Sequence, residues 1–347
     1  MAQMTSYGDI SPAVAAWANV QMLKRALPYL HFEKFGQTYT LPTNSTNTAK
    51  FRRYFLTGAT GSAGSGSGNF YTPVALTPLV EGVTPAGNKL VNADYTVTLQ
   101  QYGDYVTISD VVTDTHTDNI LEAATQNLGE SAAITLETLR YNVLKAGTNV
   151  FRAGAVASRN LIATAPTLTD IRRVTTALNR QNAKKISSVV ASTPDYNTKS
   201  VEAAYFCVCH PDLETDLRTI TAFKPVSDYG PHTSPMEGEI GSVEQVRFLT
   251  TTVCDPYLGA GVSVGSTGLR SVGGTNVDVY PMIFFGRDAY GLVPLKGKSA
   301  MTPMVVNPSP SPGDPLAQRG TVGYKFWTGT VILQQAFMAI LEVGATA

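Results

Sequence analysis

The stretch from Asp314 to Glu342, DPLAQRGTVGYKFWTGTVILQQAFMAILE, decides the fold class. It opens with an Asp-Pro break and carries glycines at Gly320 and Gly323. Val322, Tyr324 and Phe326 alternate with Thr321, Gly323 and Lys325, the period of a half-buried strand. A nearly uncharged run then continues from Phe326 to Ile340. A segment this apolar has to be packed into a core. Thr328, Thr330, Gln334 and Gln335 interrupt it too often for a membrane span.

The rest of the composition agrees with a packed protein. A chain of 347 residues, 43% of them hydrophobic, can bury one large core or two moderate ones. Its 26 basic residues balance 26 acidic ones, so no global field drives it onto nucleic acid or an anionic surface. Three cysteines do not make a disulfide framework, and the N-terminus lacks the basic start and unbroken apolar core of a signal peptide. The most apolar early stretch, Ala13 to Leu30, is broken by Lys24, Arg25 and Pro28. No segment calls for a membrane partner.

Working back along the chain, the spacing of apolar residues predicts an imperfect amphipathic helix from Pro12 to about Leu27, ended by Pro28. An alternating segment at Phe35 to Leu41 leads into a Thr/Asn stretch that suggests an extended arm. Gly58 to Gly68 reads GATGSAGSGSG, the tip of a long excursion. Tyr95 to Ile108 alternates as its return limb, giving a β-ribbon. The clearest helix runs from about Asp118 to Lys145, with an apolar stripe through Leu121, Ala124, Leu128, Ala132, Thr135, Leu139 and Val143, and stops at Gly147. It would extend on the order of 40 Å. A second helix is expected from Thr169 or Asp170. Ala203 to Cys209 reads as a buried strand, and His210-Pro211-Asp212 as the start of a further helix.

Charge is segregated although the total is zero. Arg140 to Lys185 holds nine Lys/Arg against one Asp, a net of +8, and Val201 to Glu244 holds eight Asp/Glu against two Lys/Arg, a net of −6. Either these are two solvated surfaces, or the basic stretch faces a polyanion or a neighbouring subunit and the acidic stretch faces a pore between subunits.

Several constellations resemble chemistry without completing it. The glycine run is not followed by Gly-Lys-Ser/Thr and lacks dinucleotide-fingerprint spacing. Cys207, Cys209 and His210, with Cys254, form the one cluster of metal-ligand chemistry, but no second Cys-x-x-Cys completes a tetrahedral set. A cytosolic metal-dependent enzyme built on them is one reading; buried apolar cysteines are the blander one. His31, His116 and His232 fall in no nucleophile or metalloprotease spacing. Phe51-Arg52-Arg53-Tyr54-Phe55 interleaves bases and rings, which suits nucleic acid or, preferably, a subunit interface.

Longer words in the chain carry a family resemblance. FRRY at Phe51 to Tyr54, LVEGVTPAG at Leu79 to Gly87, LQQYGDYVTISD at Leu99 to Asp110 and AGTNVF at Ala146 to Phe151 are four of them. LNRQNAKKI at Leu178 to Ile186, HPDLETDLR at His210 to Arg218, GEIGSVEQVRF at Gly238 to Phe248 and the C-terminal stretch are the others. Together they closely resemble the major capsid family of tailed phages typified by N-four-type podoviruses.

The resemblance implies an α+β fold of the Hong Kong 97-type, or Johnson, class. It implies an N-terminal arm over 1–50 and an E-loop β-ribbon over 51–110 that reaches over an adjacent subunit. A peripheral domain over 111–200 would hold the spine helix, an axial domain would span 201–300, and 301–347 would return to the peripheral domain. The implied function is a major capsid protein that self-assembles, without catalysis, metal or cofactor, into the icosahedral head shell around double-stranded DNA. Hexameric and pentameric capsomers of this chain are the implied assemblies, and portal, scaffolding and decoration proteins the further partners. The chain begins almost directly with the arm, so scaffolding is expected from a separate protein or not at all. Arg52, Arg53, Tyr54, Gly58, Gly64, Gly68 and Glu81 are the candidate contacts between subunits. Arg140, Lys145, Arg172, Arg173, Arg180, Lys184 and Lys185 are the candidates to face the lumen or DNA. An encapsulin-like compartment is the alternative within the same fold.

Overall fold

The computed structural model describes residues 30–54, 78–84, 92–115, 120–186, 203–228, 236, 238–265, 267–296, 302–306, 310 and 315–347. The expected helix at 12–27, the Gly58 to Gly68 run, His116 and His232 lie outside the described residues. The described strands are β1 Gln37–Thr38, β2 Thr48–Tyr54, β3 Asn92–Thr98, β4 Gln100–Ser109, β5 Val150–Arg152, β6 Tyr205–Cys209, β7 Phe223–Pro225 and β8 Glu239–Val243. They continue as β9 Val246–Thr250, β10 Tyr280–Phe285, β11 Tyr290–Leu292, β12 Thr302–Val306, β13 Arg319–Thr328, β14 Thr330–Ile332 and β15 Met338–Val343.

β6, β10 and β15 are buried at every position. Their unbroken apolar runs are what a strand covered on both faces requires. They lie at the middle of a mixed seven-stranded sheet, ordered β5-β15-β10-β6-β9-β8-β7. Successive side chains of a strand point to opposite faces. Tyr205, Cys207 and Cys209 therefore meet Ile171, Val174 and Leu178 of the helix Leu168–Arg180 on one face. Phe206 and Val208 meet Tyr141 and Leu144 on the other. The helix Leu168–Arg180 starts one or two residues earlier than its spacing suggests, because the Thr167 hydroxyl accepts from the Asp170 N–H and caps it.

The long helix, Ile120–Lys145, has 26 residues, or about 39 Å. Its first half lies on a three-stranded sheet, β12-β13-β4, where Leu128, Ala132, Ala133 and Leu136 pack against Val322, Tyr324 and Phe326. Its last turns lie on the seven-stranded sheet. The buried line steps by four through Leu128, Ala132, Leu136, Arg140 and Leu144, a row inclined to the helix axis. Thr135, Leu139 and Val143 of the expected stripe are thus only half-buried. The line turns because two sheets share the helix.

The C-terminal stretch does not return to one place. β13 lies against the long helix as expected, but β14 joins β1 and β11 in a second three-stranded sheet. β15 inserts between β5 and β10 of the seven-stranded sheet. The return limb also divides. β3 pairs with β2 as a ribbon, whereas β4 pairs with β13, and buried Leu99 sits at the change of partner.

Residues 30–41, expected as an arm needing a neighbour, dock on their own chain. Phe32, Phe35 and Leu41 are buried, and β1 pairs in parallel with β11. The Glu137 carboxylate accepts the N–H groups of His31 at 3.1 Å and Phe32 at 3.0 Å. The Tyr290 hydroxyl donates to the Phe32 carbonyl at 2.6 Å.

Candidate functional site

The ribbon root is built on two glycines. The Phe51 ring lies on Gly291, where an added Cβ would come 2.8 Å from it, and Val97 lies on Gly329. Trp327 packs beside them, half-buried against the cluster of Leu41, Ala49, Leu99 and Val293. Strand alternation sends Phe51 and Arg53 toward the body and Arg52 and Tyr54 toward solvent. The guanidinium of Arg53 sits 6.0 Å from the Phe337 ring centroid, and burial lowers its pKa. Exposed Arg52 was expected to pair across an interface. It instead forks onto Asp94 of the same ribbon at 2.8 and 3.0 Å. That contact holds Asp94 down to about 2 and raises Arg52. Tyr54 stays exposed, and Gly58, Gly64 and Gly68 lie outside the described residues.

Glu81 stands on a tight turn. The Val83 N–H donates to the Val80 carbonyl at 3.1 Å, with Gly82 at φ +77°. This is the left-handed position that a type II turn reserves for glycine. Residues 78–84 are all exposed.

Four of the seven basic candidates are taken up within the subunit. Arg140 is buried and donates to Glu137 at 2.8 Å and Glu33 at 3.4 Å, so it does not face a lumen. Burial raises the Glu137 carboxyl despite that partner. Lys145 donates to the Asp255 carbonyl at 3.0 Å and sits 3.9 Å over the Tyr257 ring, and burial lowers its pKa. Arg172 pairs with Glu244, and Arg173 with Asp170 and the Arg152 carbonyl. Arg180, Lys184 and Lys185 are the remainder. Arg180 and Lys184 are exposed, Lys185 is half-buried, and none of the three makes an ion pair among the described residues. Arg287, which the sequence did not single out, lies beside them, its backbone N–H donating to the Lys184 carbonyl at 2.8 Å and its guanidinium paired with Asp288 at 3.5 Å.

The cysteines do not converge. Cys207 and Cys209 face the core under the helix Leu168–Arg180, and Cys254 belongs to the core on the other face. Burial pushes the Cys207 and Cys254 thiols well up, away from thiolate chemistry. His210 caps the turn after β6, its Nδ1 accepting from the Asp212 N–H at 3.2 Å. Among the described residues no group of three or more His, Cys, Asp or Glu could hold a metal ion, and no helix is long and apolar enough to cross a membrane.

The outer face of β12-β13-β4 is the feature that sequence reasoning missed. Val305 packs on the helix side together with Val322 and Tyr324. Met304, Gly323 and Tyr105, which are register neighbours, therefore form a row on the opposite face. The tandem Tyr105-Val106 was the available signal: on one strand, one of two adjacent apolar residues must face away from the core.

This architecture is shared with solved phage capsids. The capsid of Ralstonia phage GP4 superposes with a TM-score of 0.62 at 14% identity, covering 90% of this chain and 87% of that one. The capsid of cyanophage P-SCSP1u gives 0.58 at 15% identity, covering 90% and 88%. Cyanophage Pam1 gives 0.55 at 17%, covering 93% and 92%. The fold is thus the Hong Kong 97-type capsid fold. No curated protein sequence matches the chain. A family model described as phage capsid protein spans residues 93–341, more than half of the sequence, and the chain belongs to that family.

Proposed function

We propose that this capsid subunit is arranged as hexameric and pentameric capsomers in an icosahedral head and that the head encloses double-stranded DNA. The observation that carries the reading is the contrast between a doubly covered seven-stranded sheet and a turn at Leu79 to Val83, between β2 and β3, that is exposed throughout. Residues that one chain leaves bare are covered when copies interlock, and modest contacts repeated around a closed shell become collectively strong.

In this reading the long helix and β4-β12-β13 form the peripheral domain, and the seven-stranded sheet forms most of the axial domain. β15 then belongs to the axial side. The excursion between β2 and β3 reaches the neighbour. Arg180, Lys184 and Lys185 are the basic candidates that remain to meet the DNA backbone or an acidic partner. Portal, scaffolding and decoration proteins would meet the finished shell, assembled in the host cytoplasm.

Electron microscopy of the purified chain, with nucleic-acid content measured on nuclease-treated particles from infected cells, tests the reading. Closed shells holding double-stranded DNA are expected. A small soluble species would overturn it, and DNA-free shells carrying protein cargo would favour the encapsulin-like compartment.

A further inference from the structure

The described chain begins at Leu30, close to an apolar groove. The groove lies on the helix side of β12-β13-β4, between β4, the short helix Asp110–Thr115 and the first turns of the long helix. Val106, Ile108, Val112, Ile120, Ala123 and Ala124 give it apolar walls, and its volume is about 950 Å³. That is near the upper end of the roughly 300–1,000 Å³ typical of ligand pockets, room for several large side chains. Val106 marks the bare part. It is the register neighbour of Val322 and shares its face, yet Val322 is 1% exposed under the long helix and Val106 is 42% exposed.

Followed upstream, the polypeptide heads for this groove. Glu33 pairs with Arg140 at 3.4 Å, and the amides of His31 and Phe32 donate to Glu137 at 3.1 and 3.0 Å. Leu30 then packs on the cluster of Leu128, Ala132, Ala133 and Leu136, which also takes in Ile108 from the groove wall. The segment thus runs parallel to the long helix at an offset of 105 to 107 residues, and each step back moves toward Ile120.

What lies upstream fits in length and in charge. Pro12 to Leu27, whose apolar spacing is that of an amphipathic helix, would be about 24 Å long, as is the long helix from Ile120 to Leu136. Residues 12–27 hold Lys24 and Arg25 and no Asp or Glu. The long helix from Ile120 to Leu139 holds Glu122, Glu130 and Glu137 and no Lys or Arg.

We propose that residues 12–27 dock as an amphipathic helix in this groove of their own subunit, with Val14, Trp17 and Val20 facing its walls. Carried upstream, the offset sets Trp17 beside Ala123 and Val20 beside Asn127, and the small Ala123 and Ala124 leave space for the indole. Pro28 and Tyr29 alone, about 7 Å of chain, join the helix to the anchored Leu30. A tether that short gives the groove of the same chain an effective concentration that a second copy does not match. The segment therefore closes its own subunit, where an arm was expected to need a neighbour. The contact is internal and does not depend on the shell reading.

Disulfide trapping in the unassembled subunit tests the docking. Val20→Cys with Asn127→Cys supplies one thiol to each side, and the three native cysteines are buried and do not compete. Oxidation should link the two within one chain, read as a faster-migrating monomer on denaturing gels, and neither single variant should show it. Links between chains would overturn the proposal in favour of a second copy, and a folded double variant with no link would overturn the docking itself. Trp17 emission is a second arm, read in Trp327→Phe chains where it is the one remaining tryptophan. A blue-shifted maximum that moves to the red on Val106→Asp is expected. A maximum at the solvent value in the folded chain would sink the proposal without any cross-link. Trp17→Ala should also speed amide exchange at Thr107 to Ser109 about ten-fold while β6 and β10 stay protected. Unchanged exchange there would show that the groove is covered by something else.

Discussion

The two large sheets of this subunit are built from similar residues and serve opposite ends. The seven-stranded sheet is covered on both faces, by the helix Leu168–Arg180 on one and by Tyr141, Leu144, Phe32 and Phe35 on the other. The sheet β12-β13-β4 has a cover on one face, the long helix, and leaves Tyr105, Met304 and Val306 bare on the other. Burial on both sides makes the first sheet a matter of stability. One bare side makes the second a candidate surface for association, since an exposed apolar sheet face is either covered by a partner or an aggregation liability.

Equivalent truncations should separate the two. Phe284→Ala, at a ring with no exposure, should lower the unfolding free energy by about 4 kcal/mol in chemical denaturation. Loss of soluble protein is the expected outcome in cells. A near-native midpoint would show that this sheet is less tightly packed than its burial implies. Trp327→Ala, at the junction between the sheets and the ribbon root, should cost about 2 kcal/mol, because that ring is only half-buried. Folding yield should fall first. Folded Trp327→Ala subunits that fail only to form shells would place this residue at an interface instead. Tyr105→Ala, on the bare face, should change the stability of the isolated subunit by less than about 0.5 kcal/mol and still weaken assembly. A large stability loss there would erase the contrast between the sheets.

The smallest effect concerns the ribbon. Asp94 is depressed to about 2 by Arg52, below its unfolded value, so its contribution is present above that value and is lost as pH falls from about 4 toward 2. Amide exchange in β2 and β3 should quicken over that window while the seven-stranded sheet stays protected. An Asp94 that titrates at the ordinary carboxylate value would break the assignment.

Much of the fold was legible because apolar period reports which face of an element is buried. Val322, Tyr324 and Phe326 are the buried face of β13, and Tyr205 to Cys209 is the doubly covered strand its composition implied. Partners were not legible, since period says nothing about what covers a face. Hence the C-terminal stretch divided among three sheets, and residues 30–41 docked on their own chain. The basic stretch misled for the same reason. Arg172 meets Glu244, 72 residues away, and Arg159 meets Glu342, 183 residues away, and such pairings neutralise on folding a charge that looks free in the sequence. Of the exposed apolar features, the turn at Glu81 was singled out, but Met304, Gly323 and Tyr105 become neighbours only through the register of three strands distant in sequence.

The position of β15 also bears on how the subunit is made. It lies between β5 and β10, so the seven-stranded sheet remains in two pieces until Met338–Val343 has left the ribosome. Chains interrupted during synthesis before that point lack the strand that joins the pieces, and their Phe284 and Ile283 edge stays open to solvent and to proteases. Completion of the central sheet thus depends on β15, the last described strand to be synthesised.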